Sequence, residues 1–180
     1  MENATVLFTD RLYFRNILDD DLELIFSGLS NKVVTKYFGV RYTTLLETRE
    51  QMEWYKSLET QKSGKWWIIE QHNDNAFIGA IGFHKYSRQH RKAEIGFWLL
   101  PEYWGKGFMS EALVRMSKHG FNEMNLHRIE GWVESENKSC ISVFERCGYK
   151  LEGIARQTEW VDNRWIDLCL FAVLKTEWKI

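Results

Sequence analysis

Two glycines on either side of a lysine are the residues whose types and spacing most clearly suggest chemistry. Gly105 and Gly107 follow an apolar segment that stops at Pro101, and a helical pattern begins directly after them. Glycine lets the main chain come close to a ligand, and the free N–H groups of a first helical turn attract anions. The segment therefore predicts a phosphate-binding loop, although two glycines alone also fit an ordinary turn between a strand and a helix.

The segment does not match the motifs of other known phosphate-binding loops. No third glycine completes the dinucleotide motif, and Lys106 is followed by Gly107 rather than by the Ser or Thr of a P-loop. The context of the two glycines therefore has to identify the ligand.

Short motifs on both sides of the loop form an ordered series. They lie at residues 10–15, 94–98, 103–107, at Asn137 and at 146–149. Together they resemble the GNAT N-acetyltransferase superfamily, especially its RimJ/RimL-like branch of ribosomal-protein N-terminal acetyltransferases, over nearly the whole chain. The resemblance implies acetyl-CoA as co-substrate. Met109 departs from the family, which usually has Gly or Ala there, and its larger side chain would narrow the pyrophosphate site.

The resemblance also implies which residues bind acetyl-CoA. In the family the strand before the loop splays, so a backbone N–H between Phe97 and Leu99 would polarise the thioester carbonyl. Asn137 would either bind the pantetheine arm or cap a helix. The expected cofactor-binding residues are Phe97, Trp98, Leu99, Trp104, Gly105, Lys106, Gly107, Phe108, Met109 and Asn137.

Amide formation from a thioester requires an amine to lose its proton and a thiolate to leave, and a positioned carboxylate is a sufficient base. Glu159 is the first candidate, because it matches the position of a functional glutamate in RimL-like enzymes. Glu94 is the second, on the strand that lies beside the thioester in this fold. Each also has a plain structural interpretation: Glu159 as a solvent-facing acid, and Glu94 as a charge that faces Lys92 or Arg91.

Two further positions bear on the leaving thiolate. Cys140 stands where RimL-like chains often carry a serine beside the CoA sulfur, and a thiol can donate a hydrogen bond to a thiolate. A buried structural cysteine is the alternative interpretation, and no neighbouring His or Asn at triad spacing supports a nucleophilic role. Phe144 occupies a position where many other superfamily members carry a tyrosine general acid, so that mechanism is excluded at this residue.

Composition limits the remaining possibilities. The chain has 180 residues, 44% of them hydrophobic, and a net charge of −1. We therefore expect one globular domain over residues 1–180, which the resemblance implies is an N-acetyltransferase (GNAT) domain, without long-range attraction to nucleic acid or to an anionic membrane. The basic stretch at 84–92 is interpreted as a solvated hairpin loop. Scattered histidines give no metal-ligand spacing, so no metal is expected.

Cysteine usage and hydropathy suggest a compartment. Three cysteines without a C-x-x-C pair favour reduced thiols, and neither a leader peptide nor a membrane-spanning run is recognisable. We expect a soluble cytoplasmic protein. Its tryptophans would suit either a homodimer face or a substrate cleft.

Hydrophobic periodicity predicts the elements that position these groups. Strands are expected near 12–17, 66–70, 76–83, 92–100, 128–133, 152–160 and 164–174, and helices near 22–29, 44–61, 108–122 and 137–148. A strand–helix–strand crossover around the loop implies parallel pairing. The predicted fold class is α/β, with a mixed central sheet of about seven strands and helices on both faces, and the resemblance implies that this is the GNAT fold.

The sequence thus predicts an acetyl-CoA-dependent N-acetyltransferase that uses direct attack by a primary amine in a ternary complex. A protein N-terminal α-amine is the expected acceptor, with a free amino acid, polyamine or aminoglycoside as alternatives. An inactive acyl-CoA-binding sensor or interaction module is the alternative from another class, because it would keep the fold without turnover.

Overall fold

The structure is a computed structural model that describes residues 7–179. Eight strands form one sheet in the order β1-β2-β3-β4-β5-β6-β8-β7, in which β5 and β6 are parallel and all other neighbours are antiparallel. The strands are β1 (Leu7–Phe8), β2 (Leu12–Asn16), β3 (Lys65–Gln71), β4 (Phe77–Ser87), β5 (Lys92–Leu99), β6 (Arg128–Glu134), β7 (Lys150–Val161) and β8 (Arg164–Leu174).

In the described part of the chain, four α-helices cover the sheet. They are α1 (Leu22–Leu29), α2 (Leu45–Thr60), α3 (Phe108–Asn122) and α4 (Lys138–Arg146). The mixed α/β fold with helices on both faces is confirmed, as is the parallel pairing around the loop. One strand more than expected is present, because β1 has only two residues and so shows no hydrophobic alternation.

Alternation along the strands creates two cores, one on each face. Helices α1 and α2 pack on the face that carries Trp66, Ala80 and Trp98. Helices α3 and α4 pack on the opposite face, with Phe83, Ile95, Phe144 and other apolar residues. Successive side chains of a strand point to opposite faces, so each residue of β5 contributes to one core only.

The basic stretch at 84–92 differs from the expectation. Strand β4 continues to Ser87, so His84 and Lys85 belong to the sheet, and only the residues from 88 to 91 form the turn. The difference arises because polar side chains on a solvent-facing strand end resemble those of a loop.

Candidate active site

A gap opens between the two parallel strands at the centre of the sheet. Strands β5 and β6 pair only at Lys92–Arg128, Ala93–Ile129 and Glu94–Glu130, although both continue well beyond that point. Backbone groups on the facing edges are therefore left without their usual sheet partners. This is the splay that the resemblance predicts beside the thioester.

The hydrogen-bond pattern of β5 shows which residues face the gap. Leu100 N–H donates to the Ile78 carbonyl of β4 over 2.9 Å. Because bonding alternates along an antiparallel pair, Phe97 and Leu99 turn their N–H and C=O groups the other way, toward the gap. The Leu99 carbonyl indeed accepts a bond from Trp104 Nε1 at 2.8 Å.

Trp98 has the opposite orientation. Its side chain is buried in the core beneath α1 and α2. By the same alternation its backbone N–H faces β4. Of the three residues expected to polarise the thioester, Phe97 and Leu99 turn their backbone groups toward the gap, and Trp98 turns its backbone groups toward β4.

The loop has the backbone conformation that an anion cradle needs. Gly105 and Gly107 have φ values of 72° and 81°, in the left-handed region that favours glycine. Gly107 is the N-cap of α3 and provides no side-chain cap, so the first-turn N–H groups stay available to a ligand. A Cβ at Gly105 would meet nothing within 4 Å, so the loop is open to a phosphate group.

The residues that follow the glycines point their side chains inward. Phe108 and Met109 are both buried in the core under α3. Each can therefore offer a ligand only its backbone N–H, and the Met109 side chain does not project over the loop. The Lys106 ammonium lies 5.6 Å from the centre of the Tyr103 ring, at the exposed edge of the loop.

The first turn of α4 follows the end of β6 at the mouth of the gap. Asn137 caps this helix, since its Oδ1 accepts the Cys140 N–H over 3.1 Å. The amide nitrogen of Asn137 stays available as a donor. Burial raises the pKa of the Cys140 thiol to about 12. Cys140 is therefore a neutral thiol at physiological pH, which suits a hydrogen-bond donor and disfavours a nucleophile.

Two carboxylates stand side by side where the gap begins. Glu94 and Glu130 are direct neighbours across β5 and β6. Like charges opposite each other in a sheet repel, and each acid has its own basic partners. Lys85 Nζ and His84 Nε2 lie 3.1 and 3.3 Å from Glu94.

The basic partners of Glu130 come from β5 and β6, the two strands that pair at this point. Lys92 Nζ lies 3.2 Å and Arg128 Nε 2.6 Å from its carboxylate. Burial by itself raises the pKa of Glu94, but the hydrogen bonds from His84 and Lys85 outweigh this, and the pKa lies below its ordinary value. Both acids are consequently compensated, and the pair carries little excess negative charge.

Glu159 lies in a different setting. It is exposed on β7 and is placed opposite Ile166 of β8, just after an irregular stretch in which three residues of β7, 156–158, bulge out. The bulge is fixed by the Gln157 N–H, which donates to Asp167 over 2.8 Å, and Gln157 has a φ of 48°. Within the described part of the chain no basic side chain forms a salt bridge with Glu159.

The sheet face that looks away from α3 and α4 stays open beside the gap. A Cβ on Gly131 would meet the ring of Phe144, so Gly131 faces α4 and its neighbour Trp132 faces the other way. Trp132 is 43% exposed. Leu168 and Leu170 of β8 lie on the same open face, since Cys169 between them belongs to the core under α4.

Sequence reasoning missed several of these residues. Pairing between strands that are distant in sequence brings these residues to the site; they are His84, Lys85, Glu130 and Trp132. The recurrence of Glu130, Trp132 and Glu134 at every second position of β6 was a signal for one shared face.

The residues from 7 to 179 contain no cluster of three or more His, Cys, Asp or Glu side chains that could hold a metal ion. None of the helices in this range is long and apolar enough to cross a membrane.

Comparison with known proteins identifies the family. The acetyltransferase (GNAT) domain matches residues 11–150. The uncharacterized N-acetyltransferase YoaA of Bacillus subtilis is 34% identical over 94% of this chain and 97% of its own length. The putative ribosomal N-acetyltransferase YdaF, also of B. subtilis, is 34% identical over 59% of this chain and 58% of its own.

A solved structure agrees with the fold. The spermidine N-acetyltransferase of Vibrio cholerae, in complex with CoA and spermine, superposes with a TM-score of 0.84 at 25% identity, over 94% of this chain and 98% of that one. The chain belongs to the GNAT acetyltransferase family. It is an N-acetyltransferase with acetyl-CoA as co-substrate, and the predicted resemblance to the GNAT superfamily is confirmed.

Proposed function

We propose that this protein transfers an acetyl group from acetyl-CoA to the α-amine of a protein N-terminus by direct attack in a ternary complex. The observation that carries the proposal is the gap between β5 and β6, which lies between the phosphate loop and the open face around Trp132. One substrate would enter along the loop and the other over the open face. They would meet in the gap without a covalent enzyme intermediate.

The thioester carbonyl would receive hydrogen bonds from the backbone of Phe97 or Leu99. A preorganised donor of this kind is worth about 3 kcal/mol when negative charge develops on the oxygen. The amine nitrogen would form the new bond to the acyl carbon as the C–S bond breaks. Cys140 would donate a hydrogen bond to the departing thiolate, which then takes up a proton.

Glu159 is the carboxylate that we assign to the amine proton. It is exposed and without a salt bridge among the described residues, so it can pass a proton to solvent. Glu94 is held by two basic groups that lower its pKa, which weakens it as a proton acceptor. Glu94 would instead help to hold the strands at the start of the gap through its contacts with His84 and Lys85.

The open face supports the choice of acceptor. Trp132, Leu168 and Leu170 offer an apolar surface that suits the first side chains of a peptide. A polycation would gain less electrostatic binding energy here, because neighbouring basic side chains already compensate the charges of Glu94 and Glu130. A polyamine stays the alternative acceptor, because the V. cholerae structure contains spermine.

Thiol release from acetyl-CoA would test the proposal, with N-terminal peptides, free amino acids, polyamines and aminoglycosides as acceptors. We expect turnover with peptides whose first residues are apolar, and loss of that turnover when the peptide amine is blocked. Turnover with spermidine and not with peptides would reject the peptide acceptor but keep the acetyltransferase.

Three variants would test the base. We expect Glu159→Gln to lower kcat by about a hundredfold, within the range of general-base catalysis. Glu94→Gln should lower kcat less, and Glu145→Gln, an exposed acid on α4, should have no effect. Full activity in Glu159→Gln together with loss in Glu94→Gln would reverse the assignment.

A further inference from the structure

Arg11 connects the start of the chain to the phosphate loop. It lies in the turn between β1 and β2, and its side chain reaches the beginning of α3. Arg11 Nη1 donates to the Lys106 carbonyl over 3.0 Å, and Nε donates to Glu111 Oε2 over 2.6 Å. The guanidinium carbon lies 4.5 Å from the centre of the Phe108 ring. One side chain thus contacts the loop and the first turn of the helix.

The bond to Lys106 fixes the orientation of a peptide group inside the loop. The C=O and N–H of a trans peptide point in opposite directions. Because Arg11 holds the Lys106 carbonyl, the Gly107 N–H must point away from Arg11. Gly107 contributes the nitrogen of this peptide and Gly105 precedes Lys106, so without the bond the flexible loop would sample other orientations.

Arg11 also compensates a charge that opposes anion binding. Glu111 lies in the first turn of α3, close to the N–H groups that would hold a phosphate. Arg11 and Thr9 both donate to its carboxylate. Arg11 is still 46% exposed on its side chain, so its positive charge also contributes to the field at the loop.

We propose that Arg11 is a positioning residue for acetyl-CoA, because it holds the phosphate loop in its anion-binding conformation before the ligand arrives. The proposal depends on acetyl-CoA binding and is independent of which amine is the acceptor. Arginine is suited to this role since its planar fork bonds two acceptors in fixed directions, which a lysine cannot do.

The chain offers a matched control. Arg115 of α3 donates to the Phe8 carbonyl of β1 over 3.2 Å, and so connects the same helix to the same part of the chain without contacting the loop. Calorimetric titration with CoA would compare Arg11→Lys, Arg11→Ala and Arg115→Ala, with thermal unfolding of each variant.

We expect both Arg11 variants to raise the Kd for CoA about tenfold, which corresponds to loss of one charge-assisted contact. The KM for acetyl-CoA should rise in parallel, while kcat at saturation and the KM for the acceptor stay within about twofold of the parent values. Arg115→Ala should leave the Kd unchanged. If Arg11→Ala does not fold, Arg11→Lys alone decides the question.

Two results would overturn the proposal. Unchanged CoA affinity in Arg11→Lys would show that the loop does not depend on this residue. An equal loss of CoA affinity in Arg115→Ala would show that Arg11 only stabilises α3 and has no specific role at the loop. Titration with 3′-dephospho-CoA separates the loop from the rest of the ligand. If the Arg11 variants lose the same affinity for 3′-dephospho-CoA as for CoA, the result supports a role of Arg11 at the pyrophosphate. A loss of affinity seen only with intact CoA contradicts that role.

Discussion

Replacement of Gly28 by alanine should destabilise the protein, although alanine is the better helix former. Gly28 lies inside α1, where Gly to Ala normally gains about 1 kcal/mol. A Cβ at this position would lie 2.0 Å from Cζ3 and 2.4 Å from Cη2 of Trp98. The ring is buried between α1 and the sheet and cannot turn away, so we expect overpacking to cost about 3 kcal/mol.

The net loss for Gly28→Ala is then about 2 kcal/mol, or about 4–8 °C in Tm for a chain of this size. Thermal and urea unfolding would measure it. Trp98→Phe provides the matching background, because a phenyl ring lacks the outer atoms that the new methyl group meets. In that background Gly28→Ala should be neutral or stabilising. A rise in Tm for Gly28→Ala alone, or an equal loss in both backgrounds, would refute the reasoning.

Three further predictions concern polar groups that are buried or partly buried. Tyr149→Phe removes a buried 2.8 Å hydrogen bond to Ser117 and should lower the urea-unfolding free energy by about 1 kcal/mol, whereas an unchanged midpoint would contradict this. The pKa of Glu94 is lowered in the folded state, so its contribution to stability is present above the ordinary value of 4.5 and disappears as pH falls through the lower folded value. The difference in unfolding free energy between the parent and Glu94→Gln should therefore shrink below pH 4.5, and a constant difference would be inconsistent with it. Because burial raises the pKa of Cys140 to about 12, iodoacetamide should label it slowly at pH 8 in the native protein and rapidly after unfolding, while fast native labelling would count against burial.

Local patterns were sufficient for most of the fold. The helix after Gly107 and the capped start of α4 at Asn137 follow from spacing and capping preferences, which act between residues near each other in sequence. The irregular stretch at 156–158 could not be predicted in this way. It depends on Asp167 across the hairpin, and nothing in the β7 sequence alone requires an interruption.

Only part of the candidate site could be predicted from the sequence. The loop and its glycines are contiguous, so motif and context identify them. By contrast, the Glu94–Glu130 pair requires the register of two strands, and the contact of Arg11 with Lys106 joins residues 95 positions apart. The distinction between Phe97 and Trp98 likewise depends on how β5 pairs with β4.

Phe144 explains two features of the site together. Its ring packs against Phe97 of β5 at 5.4 Å and against Phe171 of β8 at 5.5 Å, and it lies directly under Gly131 of β6. The ring therefore lies beneath the point where the two parallel strands stop pairing, on the face covered by α4, and only glycine on β6 can accommodate it. A tyrosine here would bring a hydroxyl into an apolar core, which is costly without a hydrogen-bond partner. Phe144 therefore supplies no proton at this position, and we propose that the side-chain donor to the leaving thiolate comes from the first turn of α4, where Cys140 lies.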